Sequence, residues 1–161
     1  MQDDEDVLDN EDELDDKGES DDEDELDDED EESSEIVDMD VFSQLIELDE
    51  DDPDFSKEMA EQYFSQAIAT FGKLDEALLD KDLKELSSLG HFLKGSSAAL
   101  GLSKVQKSCE KIQNYGNLRD EDADRSLVEH EALKLITKTL ARVKKEYIEA
   151  EKWLKNYHNT A

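Results

Sequence analysis

The sequence predicts an all-α protein: an up-and-down antiparallel helix bundle, with a four-helix core, a short N-terminal helix and a disordered acidic N-terminal arm. Three observations carry this. From Asp38 onward the apolar residues recur at helical spacing in successive segments. No alternating run of strand length occurs, and no Asn-Gly hairpin turn. The charge is also lopsided. Residues 1–40 hold 25 acids and one base, Lys17, a net −24, whereas residues 41–161 hold 23 acids and 17 bases, a net −6.

Residues 1–37 carry only scattered Val, Leu and Ile among their acids. Like charges repel at this density, and too little apolar surface exists to offset the entropy of ordering, so this stretch is expected to be disordered. The domain is expected over 38–161. Val41, Leu45 and Leu48 fall at i, i+4, i+7, with Asp40 as the expected N-cap of a short first helix. Asp52-Pro53 then reads as a second start, with aspartate at the N-cap and proline at the first helical position. The helix after it places Phe55, Met59, Tyr63, Ala67, Phe71, Leu74 and Leu78 on one stripe and ends near Asp80. A third helix is expected from about Asp82 to Leu100, stopping at Gly101. A fourth carries Val105, Cys109 and Ile112, with Gly116 as its expected C-terminal cap.

Asn117–Arg125 reads as a polar connection. The fifth helix is the longest, with Leu133, Ile136, Leu140, Val143, Tyr147, Ala150, Leu154 and Tyr157 alternating steps of three and four. Such a seam suits a coiled-coil homodimer. It also suits an intramolecular bundle, and four amphipathic neighbours in the same chain are available to cover it, so a monomer is expected.

Composition excludes several classes. No basic stretch offers counterion release, so neither nucleic acid nor an anionic membrane is an expected partner. Cys109 is the only cysteine, which rules out a disulfide scaffold. No apolar run nears the ~20 residues of a membrane span. The acidic N-terminus does not resemble a signal or transit peptide, so a reduced intracellular compartment is expected. The aspartate run at 49–54 lacks the glycine and closing glutamate of an EF-hand. No phosphate-binding Gly-rich loop, His-Glu-x-x-His pair or zinc-spaced Cys/His cluster is present, and no cofactor of the protein's own is expected.

Among the histidines, His158 and His130 read as solvated bystanders. His91 differs. At 100° per residue, Leu86, Leu89, Leu93 and Leu100 cluster on one face, and His91 falls roughly 170° from its centre. It therefore points to solvent from the middle of a helix anchored in the core, bordered by Lys94 at i+3 and Gly95 at i+4, with Ser88 and Ala98 completing the face. An exposed imidazole is largely neutral near pH 7, hence nucleophilic. An ammonium at i+3 suits the charge of a phosphoryl group on the ring. Glycine beside the ring admits a bulky partner, although mid-helix it costs roughly 1 kcal/mol relative to alanine. Geometry alone leaves a plainer reading open: a surface histidine near a surface lysine, with Gly90 and Gly95 permitting close helix packing.

The segment 89–102, LGHFLKGSSAALGL, closely resembles the His-x-x-Lys-Gly-Ser signature of histidine-containing phosphotransfer (HPt) domains. The stretches DEDDPDFSKEM (49–59), LKELSSLGHFLKGSSAALGL (83–102) and CEKIQNYG (109–116) are similar to the fungal phosphorelay intermediates of the budding-yeast osmosensing type. The resemblance implies that His91 is the phosphorylated nucleophile and Lys94 its charge partner. It makes Gly95 the access residue and Gln113 a polar neighbour orienting the imidazole. It further implies a receiver-docking patch of Val41, Leu45, Leu48, Phe92 and Gly95. The long acidic arm and the short 117–125 connection depart from the budding-yeast type.

The function implied by the resemblance is that of a phosphorelay intermediate, a histidine phosphotransferase in the sense of a phosphoryl carrier with no ATP site and no autonomous kinase activity. The implied partners are the receiver domain of a hybrid sensor histidine kinase and response-regulator receiver domains, with Mg²⁺ supplied by the receiver. Osmotic-stress signalling in cytoplasm and nucleus is the expected setting. The competing reading is an acidic-tailed chaperone or scaffold for basic proteins, in which His91 is incidental.

Overall fold

The computed structural model describes residues 36–159. It comprises helices α1 (Met39–Glu47), α2 (Phe55–Leu79), α3 (Leu83–Ala99), α4 (Ser103–Gly116) and α5 (Glu129–Asn159). A 3-10 turn at Leu48–Glu50 comes after α1, and two minimal strands, β1 (Arg119–Asp120) and β2 (Arg125–Ser126), separate α4 from α5. The disorder expected over 1–37 falls outside the described residues except at Ile36 and Val37. Those two belong to the domain: Val37 is only 4% exposed, because both are apolar residues beyond the last of the dense acids and they pack on the core.

Helices α2 to α5 form a closed ring in which each packs on the next and α5 returns to α2. The heptad seam of α5 is filled from within the chain. Ile136, Leu140, Val143, Tyr147, Ala150 and Leu154 are buried, with Leu133 and Tyr157 at the margins. Leu74, Leu86, Leu93, Leu102 and Ile112 complete the centre, all fully buried. Among the described residues, no helix is long and apolar enough to cross a membrane.

Helix α1 sits across one end of this ring. Its anchor is Phe42, which meets the edges of Trp153 and Tyr157 near the end of α5 at centroid distances of 5.2 and 5.1 Å. The two α5 rings stack on each other at 5.7 Å. At its start, the Asp38 N–H donates to the Gly101 carbonyl at 2.6 Å, tying α1 to the turn after α3. Gly101 holds φ +76°, and an added Cβ would lie 2.9 Å from the Asp38 carbonyl oxygen. Both conditions demand glycine.

Several local expectations are corrected. The N-cap of α1 is Asp38, not Asp40: its carboxylate accepts from the Asp40 N–H. Helix α2 begins at Phe55, so Asp52-Pro53 forms the preceding turn. The capping carboxylate comes instead from Asp49, which accepts from the Ser56 N–H at 2.8 Å and the Ser56 hydroxyl at 2.6 Å. A carboxylate seven residues upstream does the work expected of the Asp-Pro pair. Gly116 is the last helical residue of α4, not a left-handed cap. A Cβ there would meet the Leu83 carbonyl oxygen at 2.7 Å and Ser87 Cβ at 2.9 Å, so it lets α4 close onto the start of α3. The left-handed turn falls on Leu118, with φ 62°. The polar connection contains an antiparallel two-residue ladder, Arg119 opposite Ser126 and Asp120 opposite Arg125. It is too short to leave a periodic signature in the sequence.

Buried polar groups are mostly paired. Glu146 on α5 accepts from Ser108 Oγ at 2.6 Å and from Arg142 Nε at 3.0 Å. Loss of hydration still raises its carboxyl above the usual range, and the two donors only partly offset this. Burial likewise pushes the Cys109 thiol up to about 12. The one cysteine is thereby a small core residue without thiolate character.

Candidate functional site

The third helix owes its position to its leucines. Leu86 and Leu93 are wholly buried, Leu89 and Leu100 nearly so, and together they fix the rotation of α3 in the ring. Asp82 caps the start, accepting from the Glu85 N–H at 3.1 Å. That rotation leaves His91 exposed on the opposite face, as the wheel geometry predicts. The imidazole makes no hydrogen bond among the described residues. Lys94 is half-buried, and its ammonium has no carboxylate partner among the described residues. Phe92 stands 49% exposed beside them, large for an apolar residue in this position.

The two glycines flanking His91 serve different ends. A Cβ built on Gly90 would lie 2.9 Å from the Cys109 carbonyl oxygen and 3.0 Å from the Gln113 backbone nitrogen. Gly90 is thus the point where α3 and α4 touch backbone to backbone. A Cβ on Gly95 would meet nothing within 4 Å. Close packing therefore accounts for Gly90 and leaves Gly95 without a packing reason. The open space beside the ring is what Gly95 preserves. Gln113 lies on α4 directly behind Gly90, with its Oε1 buried and lacking a hydrogen-bond partner among the described residues.

The expected docking patch divides. Leu48, Phe92 and Gly95 are exposed, and Val41 is half-buried against Gly101. Leu45 is buried at 7% and is not a surface residue, because the core-facing side of α1 is set by Phe42 and Leu45 together. The stripe Val41/Leu45/Leu48 omits Phe42, whose burial shifts the inward face by about one residue. Helix α1 abuts the turn after α3 at Gly101, and the end of α3 at Ala99 lies ~12 Å along the helix axis from His91.

A model of the Hpt domain family matches residues 58–149, more than half of the chain. The chain belongs to the Hpt family. Multistep phosphorelay regulator 1 of Schizosaccharomyces pombe is 50% identical over 129 residues, which cover 79% of this chain and 44% of that protein. The chain spans about half the length of that protein and of the YPD1 proteins of Candida albicans and Saccharomyces cerevisiae. The crystal structure of the yeast phosphorelay protein YPD1 superposes with a TM-score of 0.70 at 33% identity, covering 78% of this chain and 96% of YPD1. Saccharomyces cerevisiae Ypd1 co-crystallised with the receiver domain of its downstream response regulator Ssk1 gives a TM-score of 0.69 at 36% identity, covering 78% and 96%. The all-α bundle read from the sequence is thus the fold of Hpt proteins.

One constellation in this Hpt domain has no counterpart in the sequence pattern. His158, expected as a solvated bystander, is half-buried and bonded at both ring nitrogens. Its Nδ1 lies 3.0 Å from the Leu154 carbonyl oxygen, and its Nε2 lies 3.1 Å from Ser56 Oγ. Ser56 is itself 1% exposed and donates its hydroxyl proton to Asp49. No spacing rule links residues 49, 56 and 158. His130, by contrast, is exposed.

The free approach at Gly95 yields a steric prediction. Gly95→Gln should stabilise the bundle by up to about 1 kcal/mol, since glycine in a helix interior costs that much and nothing opposes a side chain here. The same variant should transfer phosphate more slowly, because the added side chain occupies the space beside the ring. Thermal denaturation and a receiver-to-protein transfer assay separate the two effects. A variant both stabilised and fully active would mean that nothing large approaches over His91.

Proposed function

We propose that this domain is a phosphorelay intermediate whose phosphoryl carrier is His91. The observation that carries the reading is a solvent-facing imidazole on a rigid core helix, with an unfilled approach at Gly95, in a chain of the Hpt family. A ring nitrogen attacks the phosphorus of an aspartyl-phosphate on a docked receiver domain. The N–P bond forms as the P–O bond to the aspartate breaks, and the carboxylate leaves with the electron pair. Reversal onto a second receiver returns the phosphoryl group to an aspartate. Lys94, with no carboxylate partner among the described residues, offsets charge on the transferred group.

Positioning and electrostatics dominate such transfers. The residues flanking His91 on its face (Ser88, Lys94, Gly95) include no carboxylate to hold a hard cation. In this proposal Mg²⁺ therefore arrives with the receiver and neutralises phosphoryl charge there. The donor is a receiver of a hybrid sensor histidine kinase and the acceptor a response regulator. The carrier acts as a monomer in cytoplasm and nucleus, and osmotic stress is the proposed stimulus. The docking face comprises Leu48, Phe92 and Gly95, with Val41 at its margin.

The deciding experiment incubates the chain with a phosphorylated receiver domain and asks whether acid-labile phosphate appears on it. A chain that stays unlabelled, yet suppresses aggregation of basic proteins through residues 1–36, would instead support the chaperone reading. A second prediction concerns Lys94→Ala. Transfer within the docked complex should slow by about tenfold, less than the loss of a buried donor because the site faces water. Receiver affinity should hardly change. Collapse of affinity with an unchanged transfer rate would assign Lys94 to docking instead.

A further inference from the structure

The hydrogen bonds around Ser56 fix where the protons of His158 must be. The Leu154 carbonyl can only accept, so His158 Nδ1 carries a proton across the 3.0 Å contact. The Asp49 carboxylate also accepts, so the 2.6 Å contact takes the Ser56 hydroxyl proton. Ser56 Oγ then faces His158 Nε2 at 3.1 Å with lone pairs alone, and that contact is a hydrogen bond only if Nε2 is protonated as well. The full chain of bonds requires both ring protons. If either ring nitrogen gives up its proton, one link fails: two lone pairs confront each other, or Ser56 turns to the ring and deserts Asp49.

The location gives this a consequence. Asp49 lies in the 3-10 turn immediately after α1, next to Leu48. Ser56 is in the first turn of α2 and His158 in the last turn of α5, beside Tyr157, whose ring meets the imidazole edge at 5.1 Å. We propose that His158 is a positioning residue for partner docking: doubly protonated, it closes an α5-to-Ser56-to-Asp49 relay that fastens the corner presenting Leu48. Release of the second proton loosens that corner and weakens the binding of a receiver domain. The inference rests on the docking reading above and adds a regulator to it.

The segments meeting at this corner, residues 47–58 and 151–158, carry Glu47, Asp49, Glu50, Asp51, Asp52, Asp54, Glu58 and Glu151 against Lys57, Lys152 and Lys155. The balance is acidic, which accommodates a cationic ring. Lys155 is already engaged by Glu151 at 3.0 Å and lies over the Phe64 ring.

Two measurements on the full chain test the proposal. Nitrogen chemical shifts of the His158 imidazole, recorded by NMR across the histidine titration range, about two units either side of the ordinary pKa of ~6.5, read the ring protons directly. Affinity for the Ssk1 receiver domain, used as the probe, is measured over the same range in the wild type, Ser56→Ala and His158→Asn. Both ring nitrogens should be protonated at the acid end, with one proton lost as the pH rises. Wild-type affinity should fall with that loss by about three- to tenfold more than in either variant, the net worth of one hydrogen bond. His91 and His130 are unaltered in all three proteins, so their contribution cancels in the comparison. A single ring proton throughout, or identical pH profiles in wild type and Ser56→Ala, would overturn the proposal. A receiver that binds at no pH would remove the docking reading, and with it the role assigned here, even where NMR finds both protons.

Discussion

His91→Gln is expected to lose phosphoryl acceptance entirely while the fold stays as stable as the wild type to within about 0.5 kcal/mol. The side chain is exposed and makes no hydrogen bond among the described residues, so its replacement breaks nothing in the bundle. Glutamine is polar, similar in length and compatible with a helix interior. Its amide has no nucleophilic nitrogen, because the lone pair is delocalised into the carbonyl. Chemical denaturation and phosphate labelling from a phosphorylated receiver give the two readings. A variant that unfolds easily would mean that His91 supports the core. A variant that still accepts phosphate would place the acceptor elsewhere, with His130 the other exposed imidazole among the described residues.

Gly90→Ala is expected to be the most damaging one-carbon change on the same helix. The added methyl would sit 2.9 Å from one backbone atom of α4 and 3.0 Å from another, and backbone cannot step aside as a flexible side chain does. Helices α3 and α4 must separate, an overpacking cost of about 1–3 kcal/mol that outweighs the roughly 1 kcal/mol gained in helix propensity. The separation also shifts the stretch of α3 that carries His91, the residue next to Gly90, so transfer should slow as well. Gly95→Ala on the open face should be neutral or stabilising by the same denaturation measurement. Equal stability changes at positions 90 and 95 would show that the contact between α3 and α4 is looser than these distances imply.

Much of this is legible in the sequence because the determinants are periodic. The leucines of α3 fix its rotation, and rotation alone puts His91 in solvent. The eight-residue seam of α5 predicts the length and buried face of that helix, and the structure fills it from α2 and α4. The illegible features lack a period or join distant residues. Phe42 anchors α1 through two rings more than 100 residues away. Only the family resemblance puts Leu45 on the docking face, and the burial of Phe42, outside the Val41/Leu45/Leu48 stripe, turns it inward. Asp49 replaces Asp52-Pro53 at the start of α2 because a reaching carboxylate leaves no mark in local spacing. Gly90 and Gly95 look alike in sequence, and only the position of α4 tells a packing glycine from an access glycine. His158 sits among polar neighbours in the chain, and its serine partner lies 102 residues upstream.

On the proposed function, the open approach beside His91 also sets a kinetic order. One imidazole holds one phosphoryl group, so in that reading donor and acceptor receivers take turns at the open side marked by Gly95. The proposed carrier then parts from the first receiver before it meets the second, which is a ping-pong scheme. Throughput is then limited by how quickly each complex dissociates, and complexes of one interface are tuned chiefly through that rate. Tighter docking beyond a certain point would slow the relay. The proposed docking face, three apolar side chains around one glycine, suits a carrier that has to let go.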